Sequence, residues 1–265
     1  MEERERAGSP DRFGYEWAHY AQILPESRAQ LQRWLGSTPL ASFKDKRVLD
    51  VGCGMGRNPY WYLQEGAAEV VAADIDQGSL TAARQNLGPF KNARVEELSA
   101  YDLDPAKLGG SFDRVTCIGV LHHLVDPPAA LQRMWSCVKP GGELILWCYA
   151  KEGNERLLPI IQTLRFAGSR LPLSVVHAGA KMIALTAWPL IHGLPWKTEY
   201  YRNLRTLSFK NVESIIFDQM LPQTAAYWTR KDLDGLMGPL AGAAPVIEFV
   251  QGNSWHLRVR KAEPH

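Results

Sequence analysis

The sequence predicts an α/β fold: a doubly wound, mostly parallel seven-stranded sheet ending in an antiparallel hairpin, with N-terminal helices and a helical insertion as a cap. Three observations predict it. Five short apolar runs, at 47–51, 69–74, 93–98, 112–118 and 143–149, alternate with helical stretches. Such strands, apolar almost throughout and separated by helices, indicate a parallel sheet covered on both faces. A loop with three glycines follows the first run directly, and two last runs, 245–250 and 255–260, flank Gly252-Asn253, a tight-turn pair.

Taken in order, residues 1–12 are charged, contain Gly8 and Pro10, and are expected to fray. Residues 13–40 place Phe13, Trp17 and Tyr20, then Leu24, Leu31, Trp34 and Leu35, at helical spacing. Helices fill the gaps between strands, for example Ser79–Leu87 and Pro128–Val138, and Pro140-Gly141-Gly142 reads as a turn feeding the fifth strand. Residues 150–220 break the rhythm and are too long for a simple connection, so they form an insertion with its own helices. Between Leu171 and Trp196 the one formally charged residue is Lys181. Pro172, Pro189 and Pro195 interrupt this stretch, which predicts a buried or interfacial helix pair and no transmembrane segment. Peripheral membrane contact of the apolar cap stays open. Thr229 followed by Asp232 marks a helix start before the hairpin. The expected divisions are 1–40, 41–150, 151–220 and 221–265.

Composition narrows the function. The 265 residues are 46% hydrophobic and 22% charged, which excludes disorder. A net charge of +2 gives no general attraction to nucleic acid, and none is expected as a partner. Residues 151–220 hold nine Lys/Arg and five Asp/Glu, a mild bias. Cys53, Cys117, Cys137 and Cys148 form no metal or redox spacing, so buried reduced thiols and no metal are expected. The charged N-terminus lacks an apolar core, so a cytoplasmic location is expected.

The strongest local signal is Val48-Leu49-Asp50-Val51-Gly52-Cys53-Gly54-Met55-Gly56-Arg57. A strand runs into glycines spaced GxGxG, at the strand end where open α/β sheets bind ligands. Asp74 follows Gly54 by 20 residues, at the end of the second strand, where a carboxylate can accept from both ribose hydroxyls. Together they point to an adenosine-containing ligand. The spacing departs from the GxGxxG of nicotinamide and flavin sites.

With VVAADID (70–76), SFDRVTCIGVLHHLVDP (111–127) and KPGGELILWCY (139–149), this loop resembles the class I S-adenosylmethionine-dependent methyltransferases over about residues 44–150. RFGYEW (12–17) and FDQMLPQTAAYWT (217–229) resemble a small-molecule subgroup of that family, while 151–215 match nothing. The resemblance implies a Rossmann-like core. It puts Gly52, Cys53, Gly54 and Gly56 against the cofactor's amino-acid part, and Asp50 as loop-orienting or amino-binding. Asp74 would hold the ribose, Ile75 the adenine face, and Asp102 (or, less well placed, Asp104) the adenine amino group. Cys117, Ile118 and Gly119 would lie beside the methyl group, and Arg57 could pair with the methionine carboxylate. Tyr15 or Trp17 is expected to close over the cofactor, whose sulfonium suits an aromatic face.

An acceptor hydroxyl needs a proton taken away, and His122 and His123 are the candidate bases after the fourth strand. Tyr20, His192, Asp218 and Tyr227 are candidate substrate residues, while His177 reads as a core histidine. The resulting expectation is transfer of a methyl group from S-adenosylmethionine to a small, partly apolar acceptor. An RNA methyltransferase is one alternative, and a cofactor-binding protein that does not methylate is another.

Overall fold

The computed structural model describes residues 10–195, 198–240, 242 and 244–263. Two helices, α1 (Pro10–His19) and α2 (Glu26–Trp34), precede β1 (Arg47–Val51), α3 (Arg57–Gln64), β2 (Glu69–Asp74), α4 (Gln77–Leu87) and β3 (Ala93–Glu97). Next come β4 (Phe112–Ile118), α5 (Pro127–Cys137) and β5 (Val138–Tyr149). Four helices form the insertion: α6 (Leu158–Gly168), α7 (Leu173–Gly193), α8 (Glu199–Leu204) and α9 (Phe209–Met220). Helix α10 (Arg230–Met237) leads into the hairpin β6 (Val246–Val250) and β7 (Ser254–Arg260).

The seven strands are ordered β3-β2-β1-β4-β5-β7-β6. All pairs are parallel from β3 to β5, and β5 pairs antiparallel with β7 from Glu143↔Arg260 to Tyr149↔Ser254. Strand order reverses at β1 and β4, the switch point at which such sheets bind ligands. Alternate side chains along β1 explain both layers. Leu49 and Val51 enter one core with Leu131 and Met134 of α5 and Leu233 and Met237 of α10. Val48 enters the other, with Leu31, Leu35, Tyr62 and Leu87. Leu49 is fully buried, so truncating it to alanine costs about 2–5 kcal/mol.

Local capping agrees with the pattern. Asp76 accepts from the Ser79 N–H at the start of α4, and Asp126 from Ala129 at α5. Thr229 and Asp232 form the reciprocal capping box of α10.

Three expectations are corrected. Residues 10–12 are helical rather than frayed: Arg12 donates to the carbonyls of Gly168 (2.7 Å) and Leu221 (3.0 Å), tying α1 to the cap. Residues 1–9 lie outside the described residues. The Pro140-Gly141-Gly142 segment lies inside β5, where Gly141 adopts φ +72° and the register with β4 shifts. The apolar stretch is one helix, not a pair. Pro172 precedes α7 and Pro195 follows it, while Pro189 lies in its C-terminal part, where it removes a single backbone donor. By length and composition alone α7 is long and apolar enough to cross a membrane, so the prolines do not break the stretch as expected. Its inward side chains Val176, Ala180 and Ala184 are buried nonetheless, and Val176 and Ala180 pack with Phe217 of α9.

Candidate cofactor and acceptor site

A cavity of about 310 Å³ opens at the carboxyl ends of β1, β2 and β4, roofed by α1 and the insertion helices. The glycine loop forms its floor. Gly54 has φ +52°, and a Cβ there would lie 2.9 Å from Trp17 Nε1, so α1 rests on bare backbone. Gly56 caps α3 in the left-handed region at φ +84°.

Asp74 is held to this loop by three backbone donors. Its Oδ2 accepts from Gly54 N–H (2.8 Å), and its Oδ1 accepts from Ile75 (2.8 Å) and Asp76 (3.1 Å). Burial pushes its pKa up, and those three donors oppose the rise. A carboxylate offers about four acceptor positions, so about one remains for a ligand.

Arg57 points into the cavity between two indoles, its Cζ 5.6 Å from the Trp17 ring and 5.0 Å from Trp34. Such stacking contributes about 0.5–2 kcal/mol. Two carboxyl groups face it, Glu16 fully buried and Asp218 partly buried. Glu16 Oε1 accepts from Ser214 Oγ (2.9 Å), and its Oε2 has no partner. Burial and then the charge of Asp218 push Glu16 well up, and Arg57 opposes them. Asp218 is also raised by burial, held back by the Tyr149 hydroxyl that donates to its Oδ2 at 2.9 Å. A polar chain continues from there: Gln219 Nε2 donates to the Tyr149 oxygen (2.7 Å), Tyr227 donates to Gln219 Oε1 (3.1 Å), and Arg165 donates to the Tyr227 oxygen (3.2 Å).

Most of the expected residues meet at this cavity. Trp17, Gly52, Cys53, Gly54, Arg57, Asp74, Ile75, Ile118, Gly119, His123, Asp218 and Tyr227 all line it. Others do not. Asp50 lies beneath the loop, 1% exposed, accepting from Thr116 Oγ1 at 2.5 Å; its Oδ2 is unpartnered and burial raises its pKa to about 7. Cys117 belongs to the core, because alternation along β4 turns Ile118 to the cavity's side. Asp102 is exposed and Asp104 bonds the N–H of Ala106; the chain after β3 presents Ser99 and Tyr101 instead. Tyr15 faces away and stacks on His19, and Tyr20 bonds His177 Nε2 at 3.1 Å. His192 is exposed, its Nδ1 bonded to the Trp188 carbonyl. Gly56 shapes the loop without lining the cavity.

The histidine pair separates. His122 is fully buried against Tyr149 (ring centroids 4.0 Å), neither nitrogen has a partner, and burial drives its pKa well down. It lies outside the cavity and cannot meet an acceptor there. His123 lines the cavity, and its Nδ1 lies 2.9 Å from the Thr224 carbonyl. A carbonyl only accepts, so Nδ1 carries the proton and Nε2 is bare. Burial lowers His123 to about 4.

Glu16 and Tyr149 are functional candidates the pattern did not single out. Glu16 was detectable: a carboxylate on the helix face of Phe13, Trp17 and Tyr20 is out of place unless something in the fold uses it. Tyr149 had no signal beyond its position at a strand end.

Residues 49–144 match a family model described as a methyltransferase domain. A tRNA U34 carboxymethyltransferase from Alteromonas mediterranea is 33% identical over 169 residues, covering 61% of this chain and 48% of the relative. The chain thus spans about half the length of that relative. Among solved structures, an O-methyltransferase family protein from Burkholderia thailandensis superposes with a TM-score of 0.57 at 13% identity, covering 97% of this chain and 60% of the other. The N-methyltransferase NodS from Bradyrhizobium japonicum, in complex with S-adenosylhomocysteine, gives 0.51 at 14%, covering 90% and 87%. Both likenesses concern the fold.

Sheet order, terminal hairpin and glycine loop define a Rossmann-like nucleotide-cofactor domain. More closely, residues 49–144 match a methyltransferase domain and the fold is that of the class I S-adenosylmethionine-dependent methyltransferases, a domain whose cofactor is S-adenosylmethionine. The residues present fit it. The Arg57 guanidinium makes no hydrogen bond to another described residue, Asp74 keeps about one acceptor position, and Glu16 Oε2 is a buried carboxyl oxygen without a partner.

Proposed function

We propose that this chain transfers the methyl group of S-adenosylmethionine to a small, partly apolar acceptor, leaving S-adenosylhomocysteine. The observation that carries the reading is the composition of the cavity wall beyond the glycine loop. Leu157, Ile161, Leu204, Leu207 and Ile215 supply apolar surface, and Asp218, Tyr149, Gln219 and Tyr227 supply one polar chain. Pockets of this kind, mostly apolar with a few convergent polar groups, bind small molecules.

When bound, the cofactor supplies an already activated methyl group on a sulfonium. The remaining work is alignment, water exclusion and proton removal. Asp74 would hold a ribose hydroxyl and Arg57 the methionine carboxylate. Trp17 and the insertion helices would exclude water. Of Asp218 and the histidine His123 on the wall, Asp218 suits the task better. Burial raises Asp218, which strengthens it as a base, whereas it lowers His123 to about 4. Tyr149, donating to Asp218, fixes the carboxylate's orientation.

The sequence likeness to tRNA U34 carboxymethyltransferases favours a second reading, a tRNA acceptor. Against it, the cavity wall beyond the glycine loop is mostly apolar, which suits a small apolar acceptor better than a polyanionic nucleic acid. The test is S-adenosylhomocysteine release from a panel of phenols, quinones, amines and carboxylic acids beside bulk tRNA. Turnover with an apolar small molecule supports the first reading, and turnover with tRNA alone overturns it.

A further inference from the structure

Of the twelve large hydrophobic side chains that stay exposed among the described residues, nine fall between Leu157 and Leu194. On α7 they form a stripe: Val175, Met182 and Leu185 are half or more exposed, and Ala178 and Pro189 continue the same helix face at spacings of three and four. Only 22% of the helix's most apolar window is buried. In the last turn of α6 Phe166 is 63% exposed, and in the turn before α7 Leu171 is 43% exposed. Apolar surface of this extent on one face marks an interaction site.

Charge identifies the partner. From Arg156 to Thr198 the sequence has five Lys/Arg and no Asp or Glu. Two of these cations border the stripe. Arg170 stacks over Phe166 at 3.6 Å, and Lys181 is exposed beside Met182. An apolar helix face flanked by cations, in a segment that carries no carboxylate of its own, complements an anionic bilayer surface. We infer that α7 and the α6–α7 turn dock in the plane of an anionic membrane, with the stripe inserted among the acyl chains.

Two other occupants fit less well. A second copy on a two-fold axis would set the same carboxylate-free, cationic surface against itself. A membrane-spanning arrangement would have to strip α7 from the buried contacts of Val176, Ala180 and Ala184. Helix α6 joins the docked face to the cavity: Leu157 and Ile161 at its start line the cavity, and its other end runs into the docked turn. Resting on the methyl-transfer reading, this makes the acceptor a bilayer-dissolved molecule that enters past α6.

The test is co-sedimentation of the full chain with vesicles of phosphatidylcholine alone and with phosphatidylglycerol added. Salt-sensitive binding to the anionic vesicles is expected, with little to the neutral ones. Arg170→Gln/Lys181→Gln should bind about thirtyfold more weakly, at about 1 kcal/mol per basic residue near the surface. Met182→Glu/Leu185→Glu should abolish binding, and Val246→Glu, an exposed apolar position on the terminal hairpin, should not. All these positions are exposed, and circular dichroism checks folding; if one double variant is unfolded, the other carries the test. Equal binding to both vesicle types, no binding, or binding unchanged in the double variants overturns the proposal. So does a stable dimer in solution that Met182→Glu dissociates, or membrane association that alkaline carbonate cannot extract. Each of those failures leaves methyl transfer untouched, because that is read from S-adenosylhomocysteine release in detergent-free solution.

Discussion

Replacing Asp74 separates cofactor binding from loop support in a way the structure allows to be worked through. In Asp74→Ala the ligand loses one hydrogen bond to a charged acceptor, worth about 1.5–3 kcal/mol, so affinity for S-adenosylhomocysteine should fall about 10- to 150-fold. The Gly54, Ile75 and Asp76 N–H groups also lose their acceptor. The site is only partly buried, so water can replace some of those bonds, and the stability cost should stay near 1–3 kcal/mol. Asp74→Asn is not a mild alternative. With its oxygen turned to Ile75 and Asp76, its NH₂ group faces the Gly54 N–H, donor against donor, and pushes the loop away. Isothermal calorimetry with S-adenosylhomocysteine, beside thermal unfolding of the free protein, reads both effects. The reasoning is refuted if Asp74→Ala binds within threefold of the parent while remaining folded, or if the asparagine variant behaves as the parent.

Three further outcomes are expected. Trp17→Ala removes the aromatic face between Gly54 and Arg57 and should weaken cofactor binding about two- to thirtyfold, measured by the same calorimetry. Once an acceptor is found, Asp218→Asn should lower kcat about a hundredfold or more with little change in KM, and His123→Gln should lower it far less. Asp50 titrates near 7 when folded against an ordinary 3.8, so the folded state holds the extra proton between those values. Stability contributed by that proton is present at low pH and is lost as pH rises from about 4 to 7, by at most about 4 kcal/mol. Asp50→Asn should flatten that part of the denaturation-versus-pH curve; an unchanged slope would show that Asp50 does not carry it.

The core strands were legible because alternation and apolarity are local properties: Val48 and Leu49 announce two covered faces before any contact is known. The placement of Asp74 beside the glycine loop was legible from the strand ends, but its bond to the Gly54 N–H was not. What escaped the sequence depends on packing between distant segments. Alternation at the end of β4 decided against Cys117, and the path after β3 chose Ser99 and Tyr101 over Asp102. The pairing of His122 and His123 in sequence concealed opposite fates, one sealed behind Tyr149 and one on the cavity wall. Proline counts misread α7, because Pro172 and Pro195 lie outside the helix and Pro189 falls near its end, where one missing bond is tolerated.

The most direct measurement is titration of the purified chain with S-adenosylmethionine, with S-adenosylhomocysteine and NADH as competitors. One site is expected, displaced by S-adenosylhomocysteine and indifferent to NADH. Displacement by NADH, or S-adenosylmethionine binding that survives saturation with S-adenosylhomocysteine, would contradict the account of this cavity.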